Sequence, residues 1–310
     1  PDLLREALRR QRYEAVTLVH NETSTGVINP LESIAKVVRE ESEALLLVDT
    51  VSTMAGASIE MEAWGLDVVL ASVQKAMAAP PGLTVFSFSD RADEQAGRLE
   101  HRGIYTDLLR YREKHRAGGT ITTPAVSVCY ALDRQLNNIL EEGMEARWRR
   151  HADLQDQTAR WADSRGLQWA SEEGCRSPTI SGLRAPEGWV GPQIVEGLAG
   201  LGFTIGGGYG KWKPETLRIG HMGEVRREDL EGLLYALGEL RRTTEIAAEA
   251  VEQIKALAEG ASVEVVSYRD TYGPSLVEMI VRACQQEIEH GPWEDQLDLT
   301  NEDHVLSLRQ

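Results

Sequence analysis

Apolar and β-branched residues gather in short runs along the first part of the chain, and polar stretches separate them. Four of these runs predict β-strands, at residues 14–20, 44–49, 67–72 and 83–89. Between the first two, apolar residues recur with the spacing of one helix face, which predicts a helix over residues 29–42. Apolar strands joined by a helix indicate a mostly parallel sheet covered on both faces. The pattern therefore predicts an α/β fold.

Beyond about Pro124 the pattern changes to longer helices, predicted over residues 125–143 and 144–166 and joined near Gly143. Shorter elements follow, with strands predicted at 177–183, 202–208 and 216–220 and helices at 191–200 and 226–242. These elements are typical of a small α+β domain. The predicted division is a large domain at residues 1–141, a small C-terminal domain at 142–242, and a helical and strand extension of unknown role at 243–310.

Composition narrows the classes of function. The chain has 310 residues and a formal net charge of −16, which argues against binding to nucleic acid or to an anionic membrane surface. No apolar run approaches the roughly 20 residues that span a bilayer. Cysteines 129, 175 and 284 lie far apart, so neither a zinc site nor a disulfide framework is expected, and a reducing, cytoplasmic location fits best.

Two charged residues follow predicted strands. Asp49 closes the run at 44–49, and Lys75 comes 26 residues later, just after the run at 67–72. The carboxyl ends of parallel strands border the crevice where open α/β sheets bind ligands. Taken alone, Asp49 can equally cap a helix, and most lysines lie at the surface with a solvated head group. The small and apolar neighbours of Lys75 favour its neutral, nucleophilic amine.

Three segments carry a resemblance to a known family: "HNETSTGV", "LLLVDTVSTMAG" and "ASVQKAMAAPPGLTVFSFS". Together they resemble the class V, fold-type I pyridoxal-phosphate aminotransferases of the alanine–glyoxylate and serine–pyruvate group. The resemblance extends over residues 1–242. It implies a pyridoxal 5'-phosphate cofactor and transamination of a small amino acid, alanine or serine, with a 2-oxo acid such as glyoxylate or pyruvate. Which pair of substrates is used stays open, because pocket shape decides it.

The resemblance also implies roles for individual residues. Lys75 would form the internal aldimine and act as the base in proton transfer. Asp49 would pair with the pyridine nitrogen and keep the ring an electron sink. Hydrogen bonds to the ring oxygen or the phosphate would come from Gln74, Thr23 and Ser52.

Two further residues extend the site. Thr122 is similar to the threonine that family members contribute to the cofactor phosphate of the partner subunit, which implies a homodimer. Arg218 matches the arginine that binds the substrate carboxylate through a two-pronged pair. Without the family, Arg218 would be a solvent-facing strand residue. The roles of His20 and Glu22 stay open, since their segment is also ordinary turn and helix-cap sequence.

Other chemistries fit less well. Cysteine desulfurases and kynureninase-like members carry a histidine before the lysine, where this chain has Gln74, so transamination is favoured over C–S cleavage. The stretch "GFTIGGGYG" has the wrong spacing for a dinucleotide fingerprint and is interpreted as a close approach of backbone to substrate.

A departure from the family concerns the N-terminus. Family members carry a phosphate loop and a ring-stacking aromatic residue before the first shared motif, and residues 1–19 supply neither. An incomplete gene model, half of a split enzyme and a degenerate homologue are three explanations that the sequence does not separate. Two hypotheses therefore remain: an aminotransferase, supported by Lys75, Asp49 and Arg218, and an inactive structural or binding subunit. We expect the chain by itself to bind the cofactor weakly if at all and to show no measurable transamination.

Overall fold

The structure is a computed structural model that describes residues 1–186 and 189–241. The elements predicted beyond residue 242 lie outside the described residues. Its strands are, in chain order, β1 (Ala15–Val19), β2 (Asn21–Glu22), β3 (Val27–Ile28), β4 (Leu45–Asp49), β5 (Val68–Ser72), β6 (Thr84–Phe88), β7 (Ile180–Arg184), β8 (Gly206–Gly207) and β9 (Thr216–Gly220).

The helices, numbered separately, are α1 (Asp2–Arg10), α2 (Leu31–Glu41), α3 (Asp90–Gly97), α4 (Leu108–Arg116), α5 (Val126–Glu142), α6 (Met144–Asp163) and α7 (Gly191–Gly200). Residues 210–212 form one 3-10 turn, and residues 227–241 are helical. The predicted helices at 29–42, 125–143, 144–166 and 191–200 are therefore confirmed, with small shifts at their ends.

Four strands form the main sheet in the order β1-β4-β5-β6. The first three are parallel, with Val19 opposite Asp49 and Asp49 opposite Leu70. Strand β6 runs antiparallel to β5, because residues 73–83 return the chain to the same end of the sheet without a crossover helix. The prediction of a mostly parallel α/β sheet is confirmed.

The two faces of this sheet differ in burial. On one face, buried residues of β4 and β5 pack with α1 and α2 into an apolar core, which includes Leu8, Val38, Leu46 and Val69. The opposite face of β4 and β5 is only half-buried, and the corresponding residues of β1 are exposed. The sequence predicted a sheet covered on both faces. Within the described residues, only the face that packs on α1 and α2 is covered. The physical reason is that α1 and α2 both pack on that same face.

The second part of the fold is a three-stranded antiparallel sheet in the order β7-β9-β8, with the long helices α5 and α6 before it and α7 within it. This matches the predicted small α+β unit. The strands predicted at 177–183 and 202–208 are shorter than expected, since only Ile180–Arg184 and Gly206–Gly207 pair in the sheet. The β2–β3 hairpin was not predicted, because two-residue strands leave no periodic pattern.

Residues 1–232 form one compact unit. The predicted domain boundaries after residues 141 and 242 stay predictions. Among the described residues, no helix combines the length and apolarity that crossing a membrane requires.

Candidate active site

The carboxyl ends of β1, β4 and β5 meet at one edge of the main sheet, here called the strand-end rim, with Asp49 at its centre. The Asp49 carboxylate Oδ1 accepts a hydrogen bond from the amide of Val51 at 2.9 Å. The hydroxyl of Thr50 donates to the carbonyl of Leu70 at 2.9 Å, which ties the turn after β4 to β5. Asp49 is thus held at the rim by a bond that does not use its Oδ2.

Lys75 lies on the same rim, in the turn that follows β5. The residues on either side of it, Val73, Ala76 and Met77, are buried, while Lys75 itself is half-buried and Gln74 is exposed. The sequence prediction of small, apolar neighbours for Lys75 is therefore met. Because β4 and β5 are adjacent and parallel, Asp49 and the Lys75 turn share one edge of the sheet.

Two hydroxyl groups predicted to contact the cofactor contact each other. The Thr23 Oγ1 and Ser52 Oγ atoms lie 2.6 Å apart, and Ser52 is buried. The carbonyl oxygen of Thr23 accepts a hydrogen bond from Arg218 Nη1 at 3.2 Å, although the two residues are 195 positions apart. The structure therefore brings together Thr23, Ser52 and Arg218.

The guanidinium of Arg218 is oriented by its own surroundings. Its Nε donates to the carbonyl of Gly207 at 2.7 Å, and its Cζ lies 4.4 Å from the centre of the Tyr209 ring. A Cβ atom at Gly206 would lie 3.0 Å from Arg218 Nη2, so a glycine makes room for the guanidinium. The sequence analysis interpreted the glycine run around β8 as a close approach of backbone to substrate. In the structure, the backbone of this run packs closely against the side chain of Arg218.

A pair of glycines places Thr23 against Arg218. Gly26 has φ +69° in the β2–β3 turn, and a Cβ atom there would lie 2.8 Å from the amide nitrogen of Gly182. A Cβ atom at Gly182 would in turn lie 2.5 Å from the carbonyl oxygen of Thr25. Gly182 of β7 lies opposite Arg218 of β9. The close contact between Gly26 and Gly182 therefore places the β2–β3 turn next to Arg218. The sequence alone did not reveal this pair. The reason for each glycine becomes visible only when the residue that packs against it is known.

The structure gives His20 and Glu22 local roles. His20 is buried, its Nδ1 lies 2.9 Å from the Thr53 hydroxyl oxygen, and its amide donates to the carbonyl of Asp49 at 2.8 Å. Burial lowers the pKa of His20 to about 4, so the ring is neutral near pH 7. The exposed Glu22 accepts from the amide of Ser24 at 2.8 Å and shapes the hairpin turn.

Thr122 lies on the segment that precedes α5. It is exposed, and its recorded hydrogen bonds are to Tyr105 at 3.4 Å and to Thr120 at 2.6 Å. Among the hydrogen bonds of the described residues, none joins Thr122 to Asp49 or Arg218. Its assignment to the site of a partner subunit stays a prediction.

Known proteins are similar to this chain in sequence and fold. The profile of the aminotransferase class-V family matches residues 1–181. An uncharacterized aminotransferase of Methanocaldococcus jannaschii is 36% identical over 72% of this chain and 59% of its own length. For the alanine–glyoxylate aminotransferase of Oryctolagus cuniculus, the identity is 32% over 76% of this chain and 62% of that protein. The crystal structure of an alanine–glyoxylate aminotransferase from Nostoc sp. has a TM-score of 0.71 and 33% identity, covering 77% of this chain and 64% of that one.

The fold is that of the fold-type I aminotransferases. The chain belongs to the class-V aminotransferase family, which confirms the resemblance recognised in its sequence. It spans about three fifths of the length of the relatives it matches.

Class-V aminotransferases of this fold type depend on pyridoxal phosphate, and the residues at the rim fit that group chemically. A carboxylate, Asp49, suits a protonated ring nitrogen, and the amine of Lys75 suits an aldehyde. The close hydroxyl pair of Thr23 and Ser52 suits a ring oxygen or a phosphate oxygen. Asp49 ends β4, the Lys75 turn follows β5, and Thr23 of the β2–β3 turn contacts Ser52, three residues after Asp49.

Proposed function

We propose that the chain carries the active site of a pyridoxal-phosphate-dependent aminotransferase. The proposed reaction is transamination of a small amino acid, alanine or serine, with a 2-oxo acid acceptor such as glyoxylate or pyruvate. The observation that carries the proposal is the convergence of Asp49, the Lys75 turn and the Thr23–Ser52–Arg218 contacts at the strand-end rim. Relatives named as alanine–glyoxylate aminotransferases support the choice of substrates.

Four residues are proposed to hold the cofactor. When bound, pyridoxal phosphate supplies an electron sink for the charge left on the substrate carbon. Asp49 would accept a hydrogen bond from the protonated ring nitrogen through the carboxylate that the Val51 amide orients. Thr23, Ser52 and the exposed Gln74 would donate to the ring oxygen or the phosphate, which is supported by the hydroxyl pair at 2.6 Å.

Lys75 would bind the cofactor through its amine and then act as the base at the substrate. Its Nζ, once free and neutral, takes the proton from the substrate Cα. The buried neighbours Val73, Ala76 and Met77 fix the backbone of the turn on both sides of this amine.

Arg218 would bind the substrate carboxylate. Its Nε and Nη1 already donate to the carbonyls of Gly207 and Thr23, and the Tyr209 ring covers one face of the guanidinium. Neither bond uses Nη2, so the edge formed by Nη1 and Nη2 can donate two parallel hydrogen bonds to a carboxylate. The carboxylate would thereby be held next to Thr23, one of the residues proposed to contact the cofactor.

Thr122 is proposed to complete the site of a second copy of the chain. Its exposed position on the segment before α5 is compatible with a phosphate contact across a homodimer. A sizing experiment with the Thr122→Val variant tests the proposal, since this variant should remain dimeric but bind pyridoxal phosphate more weakly.

The decisive experiment for the function is chemical labelling of Lys75. The 310-residue chain is incubated with pyridoxal phosphate, reduced with borohydride, and digested for peptide mapping. Label should concentrate on the peptide with Lys75 and disappear in Lys75→Arg, while the control Lys36→Arg, which changes an exposed lysine of α2, should be labelled like the wild type. Label spread over surface lysines, together with no alanine–glyoxylate turnover, would favour the non-catalytic binding subunit instead.

A further inference from the structure

A cluster of buried polar residues lies where α5 meets α6, and Arg147 is at its centre. Arg147 has no exposed surface. Its Nη1 donates to Glu142 at 2.7 Å and to Glu224 at 2.9 Å, and its Nη2 donates to the carbonyl of Ala76 at 2.9 Å. Ala76 directly follows Lys75 in the chain. A buried cation is therefore aimed at the backbone beside the proposed reactive amine.

The turn that Arg147 contacts is held in an unfavourable backbone conformation. Ala78 has φ +58°, in the left-handed region that residues with a Cβ atom rarely adopt. The amide of Ala78 donates to the carbonyl of Lys75 at 2.9 Å, and the amide of Ala79 donates to Val73 at 3.0 Å. Such a conformation persists only where surrounding contacts enforce it. The bond from Arg147 to Ala76 is one of these contacts.

Helix α6 holds a second turn against the first. Arg150 donates to the carbonyls of Gly223 at 2.9 Å and Val225 at 2.8 Å, and the amide of Gly223 donates to His151 Nε2 at 2.9 Å. Gly223 has φ +75°, and a Cβ atom there would lie 2.9 Å from the Cβ of Ala78. The Gly223 turn therefore packs directly on the Lys75 turn.

The Gly223 turn also follows β9, the strand that carries Arg218. One face of α6 thus holds both the segment with the proposed base and the segment that leads from the proposed carboxylate-binding arginine. Apolar packing fixes the distance between two segments but not their direction, whereas charged donors to named carbonyls fix both. The polar contacts of α6 are suited to orienting the two groups relative to each other.

We propose that Arg147 is a positioning residue for Lys75, acting through the carbonyl of Ala76, and that Arg150 and His151 hold the facing Gly223 turn in register with it. The inference rests on the proposed function in that Lys75 is taken as the reactive amine. Arg147 itself does not touch substrate or cofactor in this scheme.

The test compares Arg147→Lys with the matched control Arg149→Lys, an exposed arginine on the same helix. Lysine keeps the charge but cannot donate to both glutamates and to Ala76 in the geometry of a guanidinium. After reduction with borohydride, the ratio of label on Lys75 to label on the exposed Lys36 should fall about tenfold or more in Arg147→Lys and stay unchanged in Arg149→Lys. Amide exchange at Ala78 and Ala79 should accelerate, and the visible circular dichroism of bound pyridoxal phosphate should weaken.

Several outcomes decide the matter. A folded Arg147→Lys chain with the wild-type label ratio, amide exchange and circular dichroism would overturn the positioning role. If Arg147→Lys does not fold, Glu224→Gln decides, because Glu224 is partly exposed and is one of the two carboxylates that orient the guanidinium toward Ala76. An unchanged label ratio and unchanged amide exchange at Ala78 in that variant would also overturn the role. A wild-type chain that shows no preference for Lys75 over Lys36 would refute the proposed function itself, a result distinct from either.

Discussion

The two interiors of this molecule are built on different chemistry. Beneath the main sheet, the core is apolar and contains residues such as Leu46, Val48 and Val69. Beneath the Lys75 turn, at the meeting of α5 and α6, fully buried positions are occupied by Arg147 and His151. The first interior is held by non-directional burial, and the second by hydrogen bonds between named atoms.

The difference has a consequence for the candidate site. An apolar core accepts side chains of similar volume, because its stabilisation depends on the area removed from water. A polar interior does not, because each donor needs its acceptor in place. The sheet therefore supplies a stable edge on which Asp49 lies, while the polar cluster orients the adjoining turns of Lys75 and Gly223.

The largest effect is expected from Arg147→Met. The substitution leaves Glu142 and Glu224 without their buried partner and the Ala76 carbonyl without its donor. Breaking a buried ion pair by removing one partner lowers the free energy of unfolding by about 3–5 kcal/mol. Urea unfolding measures the change, and the exposed control Arg149→Met should stay within about 0.5 kcal/mol of wild type. If Arg147→Met lowered the free energy of unfolding by less than Arg149→Met does, the polar interior would be no more sensitive to substitution than the surface, and the contrast would fail.

The apolar interior is tested by a pair of substitutions at the fully buried Leu46 of β4. Leu46→Ala removes apolar contacts and leaves a cavity, which should lower the free energy of unfolding by about 2–5 kcal/mol. Leu46→Met keeps the volume and should lower it by less than about 1.5 kcal/mol. Tolerance of methionine at Leu46, combined with a large loss for methionine at Arg147, would confirm the contrast. Equal losses for the two Leu46 variants would contradict it.

The substitution Arg218→Lys tests whether directed hydrogen bonds also hold the substrate carboxylate. The lysine keeps the charge but loses the two-pronged donor and the contact with the Tyr209 ring. Amino-acid binding should weaken by about 1.5–3 kcal/mol, the size of a charge-assisted hydrogen bond. Titration with alanine or serine measures it. Arg184→Lys is the matched control, since Arg184 also lies over an aromatic ring, that of Trp212 at 4.8 Å, and unchanged affinity in Arg218→Lys would exclude the carboxylate contact.

The polar cluster should also make the stability of the fold depend on pH. Burial lowers the pKa of His151 to about 4, and its Nε2 accepts from Gly223. Between pH 6.5 and about 4 the unfolded chain binds a proton at this histidine that the folded chain does not. The free energy of unfolding should therefore fall by up to about 1.4 kcal/mol per pH unit as the pH decreases through this window, with no further contribution from this group below it.

Urea unfolding at intervals across that pH window measures the slope. In His151→Gln the slope of the unfolding free energy against pH should decrease by the amount that corresponds to about one bound proton. The control His115→Gln, at an exposed position of α4, should keep the wild-type slope. His20 contributes with the same sign, because burial lowers its pKa to about 4 as well. A slope in His151→Gln identical to that of the wild type would show that the histidine is not neutral in the folded cluster.

The sequence predicted the elements that depend on local pattern. Strands β1, β4, β5 and β6 and helices α2, α5, α6 and α7 follow from apolar periodicity, which is a property of neighbouring residues. It also placed Asp49 and Lys75 at the ends of neighbouring strands, as the structure has them, because strand ends can be recognised without knowing what packs on them. The family followed from the same segments and is confirmed by the comparisons.

Contacts between distant residues were decided by the tertiary structure alone. The hairpin β2–β3, the antiparallel course of β6 and the single covered face of the main sheet depend on how the elements pack. The contact of Arg218 with Thr23 requires Gly26 to lie against Gly182, and the bond of Arg147 to Ala76 joins residues 71 positions apart. Hydrogen bonds have short range and fixed direction, so their partners exist only once packing has brought the segments together. Periodicity along the chain, in contrast, is present before folding and decides which segments become helices and strands.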